Sequence, residues 1–245
     1  IHEQNVIPGM TNRILKRFSQ RIFVSFEETK RYFPERKTVV TGNPIRKEIT
    51  ASGSSRERGD RFTILVFGGS AGAHRINAAM MEALASLQDL RSSLRLIHQT
   101  GKEDLGLVSR GYEEKGFEAE VMPFIDEMAR CYRRADLVIC RSGASTVAEL
   151  AVCGKASILI PYPYAAHNHQ WMNARRLVDQ GAARMILDEE LEGFSLSETI
   201  VHLYHHPEER EKMEEAIRRI GRPRAAEEIV EHCYELVRTS LEAGG

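Results

Sequence analysis

The stretch FTILVFGGSAGAHRIN, residues 62–77, joins a run of β-forming residues, a glycine pair and the beginning of a helical pattern. The apolar run predicts a strand at 62–67 that is buried on both faces, as in a parallel sheet. The glycines let the backbone approach a ligand closely, and the helix N-terminus that follows favours an anion. The unit therefore predicts an α/β fold with a candidate phosphate contact at Ser70, although a tight turn without a ligand explains the glycines equally well.

The same alternation recurs along the chain and indicates a Rossmann-like parallel sheet with helices on both faces. Apolar residues at helical spacing lie between most of the β-rich runs. After residue 195 the strand pattern ends and three amphipathic helices are predicted, at 195–206, 207–220 and 223–243. The other predicted strands are 21–26, 94–99, 119–124, 136–141, 156–161 and 183–187.

The polar stretch SGSSRERGDR (52–61) is predicted to be a surface loop that joins two parts of the chain. The segment before it contains one convincing strand pattern and one helix pattern, which is too little to bury a core. Residues 1–45 are therefore interpreted as the end of a domain whose beginning lies outside the chain. The remaining predicted units are a domain at 46–225 and a C-terminal helix at 226–245.

Composition excludes several classes of protein. The 34 basic and 35 acidic residues leave a net charge of −1, so no nucleic-acid partner is expected. The apolar runs are shorter than the roughly 18 residues that a membrane-spanning helix needs. The four cysteines form no C-x-x-C pair, and we expect them to be buried, reduced thiols rather than disulfides. No metal site is predicted, because nothing completes a ligand set around the histidines at 202–206.

The stretch CRSGASTVAEL (140–150) predicts a second strand-to-helix turn with anion-binding character. Glu149 falls about one turn into the predicted helix, where its carboxylate can accept hydrogen bonds from a ribose diol. Ligands in open α/β sheets lie outside the carboxyl ends of the strands, so two such turns favour a nucleotide site. The alternative is a helix start that resembles a capping box.

Two further motifs carry polar groups that suit a sugar nucleotide. In PYPYAAHNHQWMNA (161–174), Gln170 and Asn173 offer amide donors and acceptors for sugar hydroxyls, whereas the alternative is ordinary helix capping. In TGNPIRKEI (41–49), Arg46 can bind a phosphate with two parallel hydrogen bonds. The alternative for Arg46 is an exposed charge in a linker.

Six motifs in this order, HEQN, GNPIR, FGGSAGA, PFIDEMA, CRSGASTVAE and HNHQWMNA, resemble the MurG family of peptidoglycan glycosyltransferases. The resemblance covers residues 1 to about 225 and implies the C-terminal domain of a GT-B glycosyltransferase. It implies inverting transfer of N-acetylglucosamine from UDP-N-acetylglucosamine to the 4-hydroxyl of lipid I, which gives lipid II, without a cofactor. Residues 1–45 would end the acceptor-binding domain and include the linker, and residues 46–225 would bind the donor.

The resemblance also assigns roles to individual residues. The general base is expected in the region that precedes this chain, although His2 is a candidate. The substrate contacts that it implies are Arg46 and Ser70 at the diphosphate, Ile125 at the uracil, Ala144, Ser145 and Thr146 at phosphate and ribose, Glu149 at the ribose diol, Gln170 and Asn173 at the sugar hydroxyls, and Asn5 reaching the donor from the other domain.

The resemblance places the protein at the cytoplasmic side of the bacterial inner membrane as a peripheral enzyme. The basic, apolar run TNRILKRFSQR (11–21) can lie on an anionic membrane surface, or it can pack against the domain that is missing. Two other functions stay open at this point. One is a different UDP-sugar GT-B enzyme, such as a 2-epimerase or a glycolipid synthase, and the other is a UDP-sugar-binding module without turnover.

Overall fold

The computed structural model describes residues 1–52, 57, 59–69 and 72–243, which form two parallel sheets. The smaller sheet has the order β1-β2-β3, with β1 (His2–Glu3), β2 (Ile22–Val24) and β3 (Thr38–Val40). The larger sheet has the order β6-β5-β4-β7-β8-β9. Its strands are β4 (Phe62–Phe67), β5 (Leu94–Gln99), β6 (Ala119–Met122), β7 (Leu137–Cys140), β8 (Ser157–Leu159) and β9 (Arg184–Met185).

Strand β4 lies at the centre of the larger sheet and separates two apolar cores. Ile64 and Val66 point into the core on one face, whereas Leu65 and Phe67 belong to the core on the other face. Because successive side chains of a strand alternate between faces, a continuous apolar run serves both cores. The predicted parallel sheet with helices on both faces is therefore confirmed.

The helices account for most of the predicted helical patterns. The short α2 ends where the predicted surface loop at 52–61 begins, and the longer α4 lies between β5 and β6. The helices of the described residues are α1 (Met10–Leu15), α2 (Lys47–Ser52), α3 (His74–Ala83), α4 (Leu105–Lys115), α5 (Met128–Arg134), α6 (Ala144–Cys153), α7 (His169–Asp179), α8 (Gly193–His205), α9 (Pro207–Ile220) and α10 (Ala225–Ala243).

The expectation of a single strand before residue 46 is wrong, because the structure pairs three strands there. His2 is in register with Phe23, and Ile22 is in register with Thr38. Strands β1 and β3 have two and three residues, so neither shows a readable alternation. Pairing with β2, over long sequence separations, is what makes them strands.

Helix α10 returns to the smaller sheet, since the rings of Phe23 and His232 lie 6.0 Å apart. All four cysteines are free thiols, but Cys233 on α10 is exposed, so the expectation that all four are buried is wrong for that residue. Val237 on the same helix is also exposed, by 57%. In the described ranges no helix has the length and apolar character needed to cross a bilayer.

Candidate functional site

The strand order reverses at β4, and in an open α/β sheet such a reversal leaves a crevice at the carboxyl edge. The chain runs from β4 outward through β5 to β6, then returns to place β7 on the other side of β4. Phe67 and Cys140 are in register, so β4 and β7 end at the same level. The two predicted anion-binding turns therefore leave the sheet side by side, where open α/β folds bind their ligands.

The turn after β4 requires glycine for steric reasons. Gly69 and Gly72 have positive φ angles of 103° and 80°. A Cβ atom on Gly72 would lie 2.2 Å from the carbonyl oxygen of Thr100. The Gly69 carbonyl accepts hydrogen bonds from the Gly72 N–H, at 2.9 Å, and from Gln99 Nε2, at 2.8 Å. Ser70, the predicted phosphate contact in this turn, lies outside the described residues.

The turn after β7 leads into the N-terminus of α6. Gly143 occupies the N-cap position and supplies no side-chain hydrogen bond to the first turn of the helix. Of the three predicted contacts in that turn, Ser145 is exposed and Ala144 and Thr146 are half-buried. The first N–H groups of a helix have no partner within the helix, so a turn without a side-chain cap is suited to bind an anion.

Glu149 does not cap α6, because its carboxylate is engaged elsewhere. Oε2 accepts a hydrogen bond from the Tyr132 hydroxyl at 3.0 Å, and Oε1 lies 3.7 Å from an Arg46 guanidinium nitrogen. Burial raises the pKa of Glu149, while the bond from Tyr132 and the charge of Arg46 lower it. The structure thus brings together Arg46 and Glu149, the residues predicted at phosphate and ribose, and the capping-box alternative does not describe the Glu149 side chain.

Asn173 joins the N-terminal segment to the larger sheet. Its Nδ2 donates to the Ser142 carbonyl at 3.1 Å and to Asn5 Oδ1 at 3.4 Å, while its Oδ1 accepts from the Val6 N–H at 3.4 Å. The side chain is fully buried. In this arrangement Asn173 positions Asn5 and the β7 turn, and direct contact with a sugar hydroxyl would require these bonds to open.

Gln170 lies at the beginning of α7, beside the same turn. Its Oε1 accepts from the Tyr162 N–H at 3.0 Å, and its backbone carbonyl accepts from the Ser142 hydroxyl at 2.9 Å. Within the described residues, no hydrogen bond uses its Nε2, so this donor is available to a ligand. The two residues before α7, His167 and Asn168, have positive φ angles of 54° and 53°, a strained backbone of the kind that clusters at ligand sites.

The remaining predicted residues are Ile125 and His2. Ile125 is 4% exposed and belongs to the apolar core, so only its backbone could contact a base. His2 Nε2 lies 3.0 Å from the Gly42 carbonyl oxygen. Because a carbonyl only accepts, that nitrogen carries the proton in the neutral ring and Nδ1 is left as the acceptor. Burial lowers the pKa of His2 and so favours the neutral ring.

Sequence reasoning missed two residues that support the site, Gln99 and Tyr132. Gln99 is 2% exposed at the end of β5, and Tyr132 is fully buried on α5. The only signal for Gln99 was an amide that ends an otherwise buried strand. For Tyr132 there was no signal, because its partner Glu149 is 17 residues away on another helix. In the described residues no group of three His, Cys, Asp or Glu side chains could hold a metal ion.

Comparison with known proteins gives one family. Residues 63–229 match the model of the glycosyltransferase family 28 C-terminal domain. The chain is 51% identical over 238 residues to the UDP-N-acetylglucosamine–N-acetylmuramyl-(pentapeptide) pyrophosphoryl-undecaprenol N-acetylglucosamine transferase of Myxococcus xanthus. That match covers 97% of this chain and 62% of the relative, so the chain spans less than two thirds of that protein's length.

Solved structures agree with this comparison. The crystal structure of Acinetobacter baumannii MurG is 32% identical, with a TM-score of 0.80, and the match covers 96% of this chain and 67% of that one. A second match is a UDP-GlcNAc 2-epimerase from Neisseria meningitidis, solved with UDP-GlcNAc bound. Its TM-score is 0.64 at 14% identity, and the match covers 93% of this chain and 65% of the epimerase chain. The second likeness shows a shared fold alone. Together with the observed sheet, the match to Acinetobacter baumannii MurG confirms the predicted fold, the C-terminal domain of a GT-B glycosyltransferase.

Proposed function

The chain belongs to the glycosyltransferase family 28 C-terminal domain family, and from this premise we propose that it binds UDP-N-acetylglucosamine at the crevice between β4 and β7. The observation that carries the proposal is the common end of these strands, each followed by a turn into a helix N-terminus. Two helix N-termini favour a diphosphate, and the Glu149 carboxylate is an acceptor for ribose hydroxyls.

In the proposed complex, Arg46, Ser70 and the first turn of α6 hold the diphosphate, with Ala144, Ser145 and Thr146 in that turn. The Ile125 backbone contacts the uracil, and Gln170 contacts the sugar hydroxyls through its available Nε2. Asn173 fixes the Asn5 side chain beside the sugar. During transfer, negative charge develops on the departing UDP. The backbone N–H groups in the first turn of α6 and the Arg46 guanidinium stabilise this charge without a metal ion.

We further propose that the complete protein transfers N-acetylglucosamine to the 4-hydroxyl of lipid I with inversion at C1 and so forms lipid II. The relatives whose names describe this transfer are longer than the chain, which spans 62% of one and 64% of another. Residues 1–45 would then end the acceptor-binding domain, residues 46–225 bind the donor, and residues 226–245 form the returning helix. His2, neutral and next to the linker, is a candidate base only in that complete protein.

We propose peripheral attachment to the cytoplasmic side of the bacterial inner membrane through α1. None of the residues of this helix is buried. Ile14 and Phe18, in and just beyond it, are 57% and 80% exposed, with Arg13 and Arg17 beside them. Apolar and basic side chains on a short helix and the turn that follows it suit an anionic lipid surface.

Calorimetry on the chain tests the donor site. We expect binding of UDP and UDP-N-acetylglucosamine at up to millimolar concentration, and no binding of NAD, because the strand after the glycine turn lacks the acidic residue that binds a nicotinamide ribose. Arg46→Met should weaken UDP binding, whereas Arg110→Met on the remote helix α4 should leave it unchanged. No heat of binding with UDP, or equal binding of NAD, would contradict the proposed function.

A further inference from the structure

The motif HQTG (98–101) ends β5, and the proposed donor contacts leave it without a role. Strand β5 lies between β4 and β6, and its last residue, Gln99, is in register with Phe67 and with Met122. Gln99 therefore lies between the glycine turn that follows β4 and the segment that follows β6 and leads to Ile125. Its side chain is 2% exposed, so it faces these segments rather than solvent.

One amide group of Gln99 contacts both segments. Nε2 lies 2.8 Å from the Gly69 carbonyl oxygen and 3.3 Å from the Pro123 carbonyl oxygen. A side-chain amide nitrogen carries two hydrogens, so it can donate to both oxygens at once. These carbonyls belong to the turn proposed at the diphosphate and to the segment proposed at the uracil.

The two segments depend on Gln99 to different degrees. Pro123 O also accepts a bond from the Gly101 N–H, at 3.2 Å, which a substitution at Gln99 leaves in place. Among the described residues, the other partner of the Gly69 carbonyl is the Gly72 N–H of its own turn. Within the part of the chain that the structure describes, the Gln99 amide is therefore the donor that links the Gly69 carbonyl to β5.

The end of β5 is itself held rigidly, so it can act as a fixed point. Asn77 Nδ2 on α3 donates to the Thr100 carbonyl at 2.9 Å and to Asp104 Oδ2 at 2.7 Å, while Asn77 Oδ1 is 3.0 Å from His98 Nε2. Helix α3 follows the glycine turn directly. The turn is thus attached to the end of β5 on both sides, through Gln99 before it and through Asn77 after it.

We propose that Gln99 is a positioning residue of the donor site, whose amide fixes the glycine turn at the distance from the Pro123–Ile125 segment that a uridine diphosphate spans. The inference rests on the proposed function. Gln99 does not touch the ligand in this account. It sets where the diphosphate contacts lie relative to the base contacts, and hence how much affinity the phosphates add to that of uridine.

Calorimetry with uridine, UMP and UDP tests the inference on the chain as it exists, at a temperature where each variant is fully folded. Gln99→Met keeps the length of the side chain and removes both donors. We expect UDP binding to weaken about tenfold and uridine binding less than threefold, so that the UDP-to-uridine affinity ratio falls. The control substitution Gln88→Met, at an exposed position far from the crevice, should change the affinity for neither UDP nor uridine.

A purely structural role for Gln99 would lower the melting temperature and leave the affinity ratio of the folded variant unchanged, and that result would overturn the inference. Wild-type chain that binds no UDP would instead remove the proposed function, and this inference with it, before any variant is made.

If Gln99→Met does not fold, the wild-type side-chain amide signals of Gln99 can be followed by NMR. Their exchange with solvent should slow when UDP is added, and exchange as fast as that of Gln88 with and without UDP would overturn the inference.

Discussion

The carboxylate of Glu149 lies between Tyr132 and Arg46. These two neighbours and burial shift the pKa of Glu149 in opposite directions. Burial is the largest effect and raises the pKa, whereas the hydroxyl bond and the guanidinium lower it. A folded-state pKa above the unfolded value means that the folded chain binds more protons between the two values. The stability contributed by this group is therefore present at low pH and lost as pH rises through the folded pKa.

Glu149→Gln should consequently stabilise the chain at pH 7 more than at pH 4, because the neutral amide avoids the cost of burying a charge. The same variant should weaken UDP binding by about 1.5–3 kcal/mol, the usual value of a hydrogen bond to a charged group. Thermal unfolding at the two pH values and calorimetry at pH 7 measure the two effects. Glu103→Gln, at an exposed position, serves as the control. Unchanged affinity together with a lower melting temperature would mean that Glu149 serves only to support α6.

His98 shows the reverse case, a base that burial keeps neutral. Its Nδ1 lies 2.9 Å from the Tyr112 hydroxyl and its Nε2 lies 3.0 Å from Asn77 Oδ1. Asn77 Nδ2 donates its two hydrogens to Thr100 and Asp104, and Asn77 Oδ1 can only accept. The His98 ring is therefore the neutral tautomer that carries its proton on Nε2. Burial lowers the pKa of His98 to about 3.

The unfolded chain thus binds one more proton than the folded chain between about pH 6.5 and the lowered pKa of His98, about 3. We expect stability to fall on acidification through this range. His98→Gln, which can keep one donor and one acceptor, should flatten this pH dependence, whereas the exposed His205→Gln should not. Urea unfolding at pH 7, 6, 5 and 4 measures the slopes. Equal slopes for wild type and His98→Gln would show that other groups control acid unfolding.

Among the elements, α1 has a surface that the rest of the described chain leaves bare. Met10, at its start, and Phe18, three residues beyond its end at Leu15, are 59% and 80% exposed. Lys16 is already engaged, since its Nζ donates to the Tyr32 carbonyl at 3.1 Å. Arg17 is exposed, and among the described residues no hydrogen bond or ion pair uses its guanidinium. The available charge for a lipid surface therefore lies at Arg17 rather than at Lys16.

Arg17→Glu combined with Phe18→Ser should reduce flotation of the chain with vesicles that contain anionic lipid. Wild-type flotation should decrease with added salt, because exposed charges more than about 10 Å apart are largely screened at 0.1 M ionic strength. Arg110→Glu on α4 reverses one charge far from α1 and should leave flotation unchanged. If the α1 variant floats as the wild type does, the exposed face of α1 is better explained as a surface that packs on protein.

At the scale of the whole molecule, the two sheets differ in the core that supports them. The larger sheet has an apolar core on each face, while the smaller sheet has a separate cluster built around Ile22, Val24 and Phe33. Val6 and Phe26, from the N-terminal segment, pack instead into the core of the larger sheet. The N-terminal segment thus has a small cluster of its own and also packs against the domain that we propose to bind the donor.

This arrangement predicts donor binding without transfer. We expect the chain alone to form no detectable lipid II from UDP-N-acetylglucosamine and lipid I. Aligning two reactants can lower an activation barrier by about 7–11 kcal/mol, and this alignment needs a second domain that binds the acceptor. Joining the chain to the preceding region of the Myxococcus xanthus relative should restore transfer. Radiolabelled product on thin-layer plates measures it, with a reaction of the joined protein without lipid I as the negative control. Transfer by the chain alone, near the rate of the joined protein, would show that the acceptor site lies within residues 1–245.

The sequence alone determined the larger sheet, because β4 is apolar except for Thr63, β7 is apolar throughout, and the segments between most of the strands show helical spacing. It also indicated the two turns at the crevice, since glycines and a strand-to-helix junction are local features. It did not determine β1 and β3, whose two or three residues carry no period. Nor did it indicate that Cys233 would be exposed.

Only the tertiary structure decided which polar residues meet. Asn173 was predicted to contact a sugar, yet it is fully buried and bonded to Asn5, 168 residues away. Gln99 and Tyr132 acquired their positions from partners 30 and 17 residues away in the chain. Periodicity and turn chemistry act over a few residues and can be read in order, whereas a hydrogen bond between distant side chains depends on how the sheets and helices pack. The sequence therefore determined the elements and their turns, and packing decided which side chains could face a ligand and which hold the others in place.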